Sequence, residues 1–172
     1  MRFQLEQEGP LRVTEVDPVE MEFLMQIPGI ARTEDPAAKA RIFASPGGDK
    51  ALEEDWEAFV RPELEERFEG ALEAMESDLA GVRRVKGTAS FAIEPGHWEH
   101  WLTGLNQARL VLWAEHRFTD SEMIEEIGIA DPQRATALFA MNLYGFLQEI
   151  LLRVLGEAES EAESEEDPEI GG

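Results

Sequence analysis

The alternation of apolar and polar positions predicts a small sheet. Residues 3–13 alternate on both sides of Gly9-Pro10, which is the period-two pattern of a half-buried hairpin. Residues 88–93 alternate in the same way and predict a third strand. An isolated hairpin is only marginally stable, whereas three strands packed beneath a helix are stable. We therefore expect the three strands to form one antiparallel sheet.

Helical spacing covers most of the remaining chain. Each predicted helix begins at a capping or proline residue and ends near a glycine, a proline or a change of pattern. The helices run from Asp17 to Pro28, from Asp49 through Phe59, from Pro62 to Gly81, from Pro95 to about Arg117 and from Asp131 to near Gly156. Residues 30–50 predict a long connection with one helical turn at residues 37–42, and residues 121–128 predict a shorter helical segment.

Two of these helices carry polar residues that we expect to be buried. A helix that is apolar nearly all round must be enclosed by other helices or by a second copy of the chain, and residues 105–113 and 144–151 fit this description. A buried guanidinium needs a hydrogen-bonded partner, so we expect Arg109 to pair with Glu149. The predicted buried polar network consists of Asn106, Arg109, Tyr144 and Glu149.

Length and composition predict one domain followed by an acidic tail. A chain of 172 residues that is 43% apolar is long enough for a single core, which we place in residues 1–156. Residues 157–172 intersperse acids with Ala and Ser, have almost nothing to bury, and are predicted to be disordered. No apolar run approaches the roughly 18 residues of a membrane span and no signal peptide is recognised, so we expect a cytoplasmic protein.

The charge narrows the classes of partner. A formal charge of −22, from 37 acidic and 15 basic residues, repels phosphate backbones and anionic membranes and favours basic protein partners. The compact basic cluster Arg83, Arg84 and Lys86 is interpreted as the cationic end of a helix; binding to DNA would require these and other cations to converge on one face. The chain contains no cysteine, which excludes disulfides, thiolate metal ligands and cysteine nucleophiles.

Few residues suggest metal or cofactor chemistry. His97, Glu99 and His100 resemble metal ligands, but the order His-Trp-Glu-His lacks the i, i+4 histidine spacing of zinc peptidases. We therefore predict no metal and no cofactor, and retain His97 and His100 as the alternative ligands. Trp98, Trp101 and Trp113 are interpreted as core, with a subunit interface or a ligand pocket as the alternatives.

No catalytic residue is predicted. Most carboxylates lie on predicted solvent faces, and pairing with Arg109 explains Glu149 better than a catalytic role does. A phosphate-binding glycine loop, a Ser/His/Asp arrangement and a dinucleotide fingerprint are all missing from the sequence.

Four segments carry a resemblance to a known family. They are Asp55-Trp56, residues 59–64, residues 105–112 and residues 144–149. Together they resemble a bacterial family catalogued as a domain of unknown function. In some genomes its genes lie beside the gene of the Clp protease adaptor, and the family includes the actinomycete oxidative-stress regulator type. The resemblance covers the chain from the hairpin to Leu155 and implies a regulatory role in transcription control through protein partners. Redox sensing by cysteine cannot operate here, because the chain has none.

These observations predict a mostly helical α+β domain of about five helices, with a small antiparallel sheet formed by the N-terminal hairpin and one later strand. The function that they favour is that of a non-enzymatic cytoplasmic regulator or adaptor, which acts through protein–protein contacts in transcription or stress control. A homodimer is compatible with this function. The alternative is a small-molecule or metal-binding protein or enzyme that uses the tryptophan-rich helix.

Overall fold

The structure is a computed structural model that describes the backbone of residues 1–6, 9–119 and 131–165, and side chains as far as Gly156. The predicted segment at residues 121–128 lies outside the described residues. The described chain is mostly helical with one antiparallel sheet, which confirms the predicted fold class. The strands are β1 (Arg2–Leu5), β2 (Leu11–Val16), β3 (Arg83–Val85) and β4 (Thr88–Ile93). The helices are α1 (Pro18–Ala31), α2 (Pro36–Ile42), α3 (Lys50–Asp55), α4 (Arg61–Ala80), α5 (Trp98–Glu115) and α6 (Pro132–Glu165).

Two short irregular helices complete the backbone. A π-helix, Trp56–Val60, joins α3 to α4, and a 3-10 turn, Pro95–His97, precedes α5. Phe59 in the π-helix is 71% exposed, so the predicted acidic helix contributes little to the core. The predicted turn at residues 37–42 is present as α2.

The sheet has the strand order β1-β2-β4-β3. The predicted hairpin and third strand are confirmed, since Phe3 pairs with Val13 and Val13 pairs with Phe91. Strand β3 was not predicted, and it contains Arg83 and Arg84. The interpretation of these cations as a helix end is therefore wrong: α4 ends at Ala80, and the cationic segment instead forms backbone hydrogen bonds with β4.

Helix α1 shows how a cap and a proline act at opposite ends. The Asp17 carboxylate accepts the Val19 N–H at 2.8 Å, and the Asp17 N–H donates to Glu20 at 3.1 Å. This capping box confirms the predicted start. The predicted end at Pro28 is wrong, because α1 continues to Ala31. Proline has no N–H to donate to the preceding turn, but its carbonyl can still bond the following turn, and it accepts the Arg32 N–H at 3.2 Å.

Helix α5 lies at the centre of the molecule. It packs against α1, α2, α4 and α6, and its residues Trp101, Leu105 and Ala108 are fully buried. The sheet covers the core with Leu11, Val13, Val16, Ala89, Phe91 and Ile93. The arrangement agrees with the pattern of the sequence, in which α5 is apolar on nearly every side.

Helix α6 is the longest helix described. Its start is capped as predicted, since Asp131 accepts the Gln133 N–H at 2.9 Å, but it continues to Glu165, beyond the predicted end near Gly156. Within the described residues, α6 is the one helix long and apolar enough to cross a membrane by length and composition, with a mean hydropathy of 1.3 over Pro132–Gly156. One such helix is weak evidence, because the core helix of a soluble protein passes the same test. In α6, 33% of the apolar window is buried, including Tyr144, Leu147 and Leu151.

Candidate functional site

The predicted ion pair between Arg109 and Glu149 does not form. The Arg109 Nη1 donates instead to Gln148 Oε1 at 2.6 Å, and Gln148 Nε2 donates to the Leu102 carbonyl at 3.2 Å. The Glu149 side chain is 73% exposed, and its carboxylate lies 3.8 Å from Arg153 one helical turn later. Adjacent side chains on a helix point about 100° apart, so α6 presents Gln148, and not Glu149, to α5.

The other two members of the predicted network also separate. Asn106 is exposed, so it takes no part in a buried network. Tyr144 is fully buried, as predicted, and its hydroxyl donates to the Phe23 carbonyl of α1 at 2.8 Å. Burial raises the pKa of Tyr144 above its ordinary value, which keeps the hydroxyl protonated as a donor. The structure thus brings Arg109 together with Gln148, and Tyr144 together with α1.

Asp78 is the buried carboxylate that sequence reasoning missed. Its side chain is 3% exposed, its Oδ2 accepts the Trp101 Nε1–H at 2.8 Å, and its Oδ1 lies 2.9 Å from His97 Nδ1. The signal was available, because Asp78 lies on the apolar stripe of α4 that also contains Met75 and Leu79. The contacts tie the end of α4 to the start of α5.

The histidines kept as alternative metal ligands are not arranged as a metal centre. The His97 and His100 rings lie 5.9 Å apart, and His97 faces Asp78. Glu99 is exposed, and His116 lies after the far end of α5. Within the described part of the chain, no three His, Cys, Asp or Glu residues are placed to hold a metal ion.

The tryptophans of the helix serve packing. Trp101 is fully buried and stacks on Phe91 with ring centroids 5.4 Å apart, and Trp98 is 8% exposed and donates to the Ile93 carbonyl at 3.3 Å. Trp113 is partly buried beneath Arg41, whose guanidinium carbon lies 3.4 Å from the ring centroid. Trp98 and Trp101 therefore belong to the hydrophobic core, in agreement with their interpretation as core residues.

Two pairs of aromatic side chains join α6 to α1 and to β1 at the surface. Phe23 meets Phe139 with ring centroids 5.1 Å apart, and Phe3 meets Phe146 at 6.0 Å. Phe139 and Phe146 lie two turns apart on α6, about 10 Å along its axis, so the two pairs are neighbours. The surface, called here the α1/α6 apolar surface, consists of Phe3, Leu5, Val19, Phe23, Phe139 and Phe146.

The exposure of this surface is large for aromatic residues. Phe139 is 47% and Phe146 is 46% exposed, although burial of a phenylalanine side chain would stabilise the folded chain. Val19 and Leu5 extend the surface with 56% and 40% exposure. Two half-exposed phenylalanines two turns apart on α6 make this surface a candidate for contact with another molecule.

Acidic groups border the apolar surface. Glu22 is exposed on α1 between Val19 and Phe23, and Glu149 follows Phe146 by one turn on α6. Arg153 lies 3.8 Å from the Glu149 carboxylate, so the border carries both signs of charge, whereas the whole chain has a formal charge of −22. An apolar centre with a charged rim is the usual anatomy of a protein interface.

A comparison with known families identifies the kind of chain. A family model described as Domain of unknown function (DUF2017) matches residues 5–155. The chain belongs to this family. The match confirms the resemblance to a bacterial family of unknown function, and the DUF2017 segment includes every member of the α1/α6 apolar surface except Phe3. No curated protein and no solved structure matches the chain.

Proposed function

We propose that this chain is a non-enzymatic regulatory or adaptor protein that binds a basic protein partner through the α1/α6 apolar surface. The observation that carries the proposal is the pair of half-exposed rings, Phe139 and Phe146, each packed against a phenylalanine of another element. Rigid aromatic groups at the centre of a surface supply most of the affinity at protein interfaces.

The charge selects the partner. Glu22 is exposed beside the surface and the whole chain has a formal charge of −22, and a partner with Lys or Arg around an apolar contact complements this charge. A homodimer would bring together two chains that each have a formal charge of −22. An anionic membrane would repel the chain for the same reason. A basic protein is therefore the occupant that the electrostatics favour, and the homodimer is the competing outcome of the test.

The biological setting of the proposal rests on the resemblance of the sequence. That resemblance implies regulation of transcription or of a stress response, in the cytoplasm, through a protein partner. The part of the structure that is described offers the means of binding such a partner. Without cysteine, any regulation must come through the occupancy of a surface and not through thiol oxidation.

The experiment places a photo-crosslinking amino acid, benzoyl-phenylalanine, at position 139 in living cells, with the same residue at position 59 as the matched control. Phe59 is 71% exposed and lies outside the α1/α6 apolar surface. We expect a defined basic protein to be cross-linked from position 139 and not from position 59. The purified partner then binds the full chain, and F139S/F146S weakens the binding at least about tenfold, whereas F59S leaves it unchanged.

Salt dependence supplies a second reading of the same complex. Because charged rims act through screened electrostatics, the association rate should fall as ionic strength rises. Cross-links that join two copies of the chain, cross-links to lipid, or no cross-link from position 139 would each overturn the proposal of a basic protein partner.

A further inference from the structure

We propose that a cavity on the outer face of the sheet binds the phosphoryl group of a small phosphate ester. The cavity, called here the sheet cavity, has a volume of about 380 Å³, which is within the range of small-molecule sites. Arg12 of β2 and Arg83 of β3 both line it. It shares no residue with the α1/α6 apolar surface, so the inference is independent of the proposed partner.

The pairing of the strands places the two arginines on the same face of the sheet. Arg12 pairs with Ala92 of β4, and Arg83 pairs with Ser90 of the same strand. Ala92 and Ser90 are two residues apart, and side chains two apart in a strand point to the same side. Phe91, which lies between them, is 5% exposed and belongs to the core. Both arginines are therefore on the side of the sheet that faces away from the core.

Small and hydroxyl-bearing residues line the cavity together with the two arginines. Ala92 and Gly81 have little or no side chain, which leaves the space open. Thr14 and Ser90 supply hydroxyl groups, and a hydroxyl can donate to a phosphate oxygen. Neither hydroxyl has a hydrogen-bond partner among the residues that the structure describes, so both can donate to a ligand.

A β-bulge in β2 lies beside the same hydroxyls. The register shifts between Val13 and Val16, so that Thr14 and Glu15 together oppose Ser90. Glu15 has a φ of 54°, in the left-handed region that residues other than glycine rarely adopt. Bulges change the direction of neighbouring side chains, and both bulges and strained backbone are concentrated at functional sites. The bulge therefore supports a binding role for this part of the sheet.

Arg83 is the cation that is most available to a ligand. It is exposed and forms no ion pair with the residues that the structure describes. Arg12 contacts Glu6, but the two side chains are 52% and 47% exposed, and ion pairs between exposed groups are weak. A phosphoryl group can therefore compete with Glu6 for Arg12, and Glu6 should lower its affinity.

A phosphoryl group suits this arrangement better than a carboxylate does. Strand β4 separates β2 from β3, so Arg12 and Arg83 approach the cavity from opposite sides. The three terminal oxygens of a phosphate ester point in different directions and can accept from both guanidinium groups and from a hydroxyl. The two oxygens of a carboxylate lie in one plane and match a single guanidinium. The volume of the cavity leaves room for carbon atoms beside the phosphoryl group.

The acidity of the chain limits the affinity. A formal charge of −22 repels any anion. At physiological ionic strength, however, exposed charges more than about 8 Å away are largely screened, whereas a direct hydrogen bond is not. Among the acids nearby, Glu6 and Glu94 act on Arg12. We therefore expect affinity in the millimolar range.

The experiment titrates the full chain with inorganic phosphate, glycerol 3-phosphate and acetate at constant ionic strength, while backbone and arginine Nε–H signals are followed by NMR. We expect inorganic phosphate to shift the signals of Arg83 and Ser90 with saturable millimolar affinity. Glycerol 3-phosphate should bind more tightly, because its carbon atoms fill more of the cavity. Acetate, with fewer oxygens and less charge, should bind at least about tenfold more weakly than phosphate.

Three variants test the cations. R83Q should weaken the binding of phosphate at least about tenfold, because it removes a charged donor. R84Q is the matched control: it removes the same charge from the next residue, which pairs with the buried Ala89 and so lies on the opposite side of the sheet. Its dissociation constant should change by less than about twofold. E6Q removes the competitor of Arg12 and should strengthen binding at least about twofold.

Four results would overturn the proposal. Equal weakening by R83Q and R84Q would show a general effect of charge and no site. Acetate that binds as tightly as phosphate would contradict the assignment to a phosphoryl group. Inorganic phosphate that binds more tightly than glycerol 3-phosphate would contradict the assignment to an ester. An absence of saturable shifts at Arg83 and Ser90 would exclude the sheet cavity.

Discussion

The buried carboxylate of Asp78 in α4 contacts two residues of other elements. Asp78 accepts the Trp101 Nε1–H at 2.8 Å and lies 2.9 Å from His97 Nδ1, while its own side chain is 3% exposed. A carboxylate removed from water is tolerated only where its oxygens are hydrogen-bonded. Asp78 therefore orients Trp101 within the core and holds the turn before α5 against α4.

Replacing Asp78 should destabilise the domain strongly. D78A leaves the buried Trp101 N–H without an acceptor, and we expect the free energy of unfolding to fall by about 1.5–3 kcal/mol. S77A, at an exposed neighbouring position, should change it by less than about 0.5 kcal/mol. Urea unfolding of the two variants measures the difference.

A double-mutant cycle with W101F identifies the contact responsible. If the hydrogen bond carries the effect, D78A and W101F should be non-additive by about 0.5–3 kcal/mol. Additive effects would show that Asp78 acts through His97 or through general packing instead.

Helices α4 and α5 approach closely where α5 has a glycine. A Cβ placed at Gly104 would lie 2.1 Å from Met75 Sδ of α4, which is far inside contact distance. The absence of a side chain at this position allows Met75, fully buried, to fill the space between the two helices. The pairing of α4 with α5 therefore depends on a glycine.

Substitution of Gly104 tests this contact between elements. G104A should lower the free energy of unfolding by about 1–3 kcal/mol, toward the lower end because methionine is flexible. The matched control is G70A in α4, where an added Cβ meets nothing within 4 Å and should stabilise the helix by up to about 1 kcal/mol. Chemical denaturation distinguishes the opposite signs, and a stabilised G104A would contradict the packing described.

The N-terminal caps of α1 and α3 have the same chemistry but different consequences. Asp17 accepts the Val19 N–H at 2.8 Å, and Asp49 accepts the Ala51 N–H at 2.9 Å. Helix α1 contributes Met21, Leu24 and Ile27 to the core, whereas α3 buries no residue. A cap can stabilise the whole domain only if its helix is coupled to the core.

The two caps should therefore respond differently to removal. D17A should lower the global free energy of unfolding by about 1 kcal/mol, because a cap donor is left unpaired in a helix that packs on the core. D49A should leave the global value unchanged and should raise amide hydrogen exchange within residues 50–55 only. Equal losses of global stability would mean that α3 unfolds together with the core.

Across the whole molecule, Arg32 joins the end of α1 to the exposed face of α4. Its guanidinium donates to Glu69 and Glu76, and the hydrogen bond from Arg32 lowers the pKa of Glu76 below its ordinary value of 4.5. A carboxyl whose pKa is lower in the folded chain stabilises folding above its unfolded pKa. That contribution is lost as the pH falls through the lower, folded pKa.

The pH dependence of stability follows from this sign. E76Q should cost about 0.2–1 kcal/mol at neutral pH, a small value because the Glu76 side chain is 48% exposed. The difference between the parent and E76Q should disappear below pH 4.5, as Glu76 becomes protonated. E73Q, at an exposed acid of the same helix, should not reproduce this profile, and a difference that persists in acid would contradict it.

Elements whose signals are local can be predicted from the amino-acid sequence alone. The strand alternation around Gly9-Pro10, the caps at Asp17 and Asp131, and the apolar circumference of α5 each depend on neighbouring residues, and all are present in the structure. The mostly helical α+β class follows from the same patterns. The family of unknown function came instead from the resemblance of four segments, and the family model that matches residues 5–155 confirms it. Periodicity and capping act within a few residues, which is why they can be interpreted without a fold.

Which polar groups meet depends on how the helices pack against one another. One position on α6 separates Gln148, which binds Arg109, from Glu149, which is exposed, and periodicity does not resolve a rotation of that size. The contact of Asp78 with Trp101 and the exposure of the Phe139 and Phe146 rings likewise depend on residues distant in sequence. Local patterns fix which face of a helix is apolar, whereas the packing of helices fixes what that face touches.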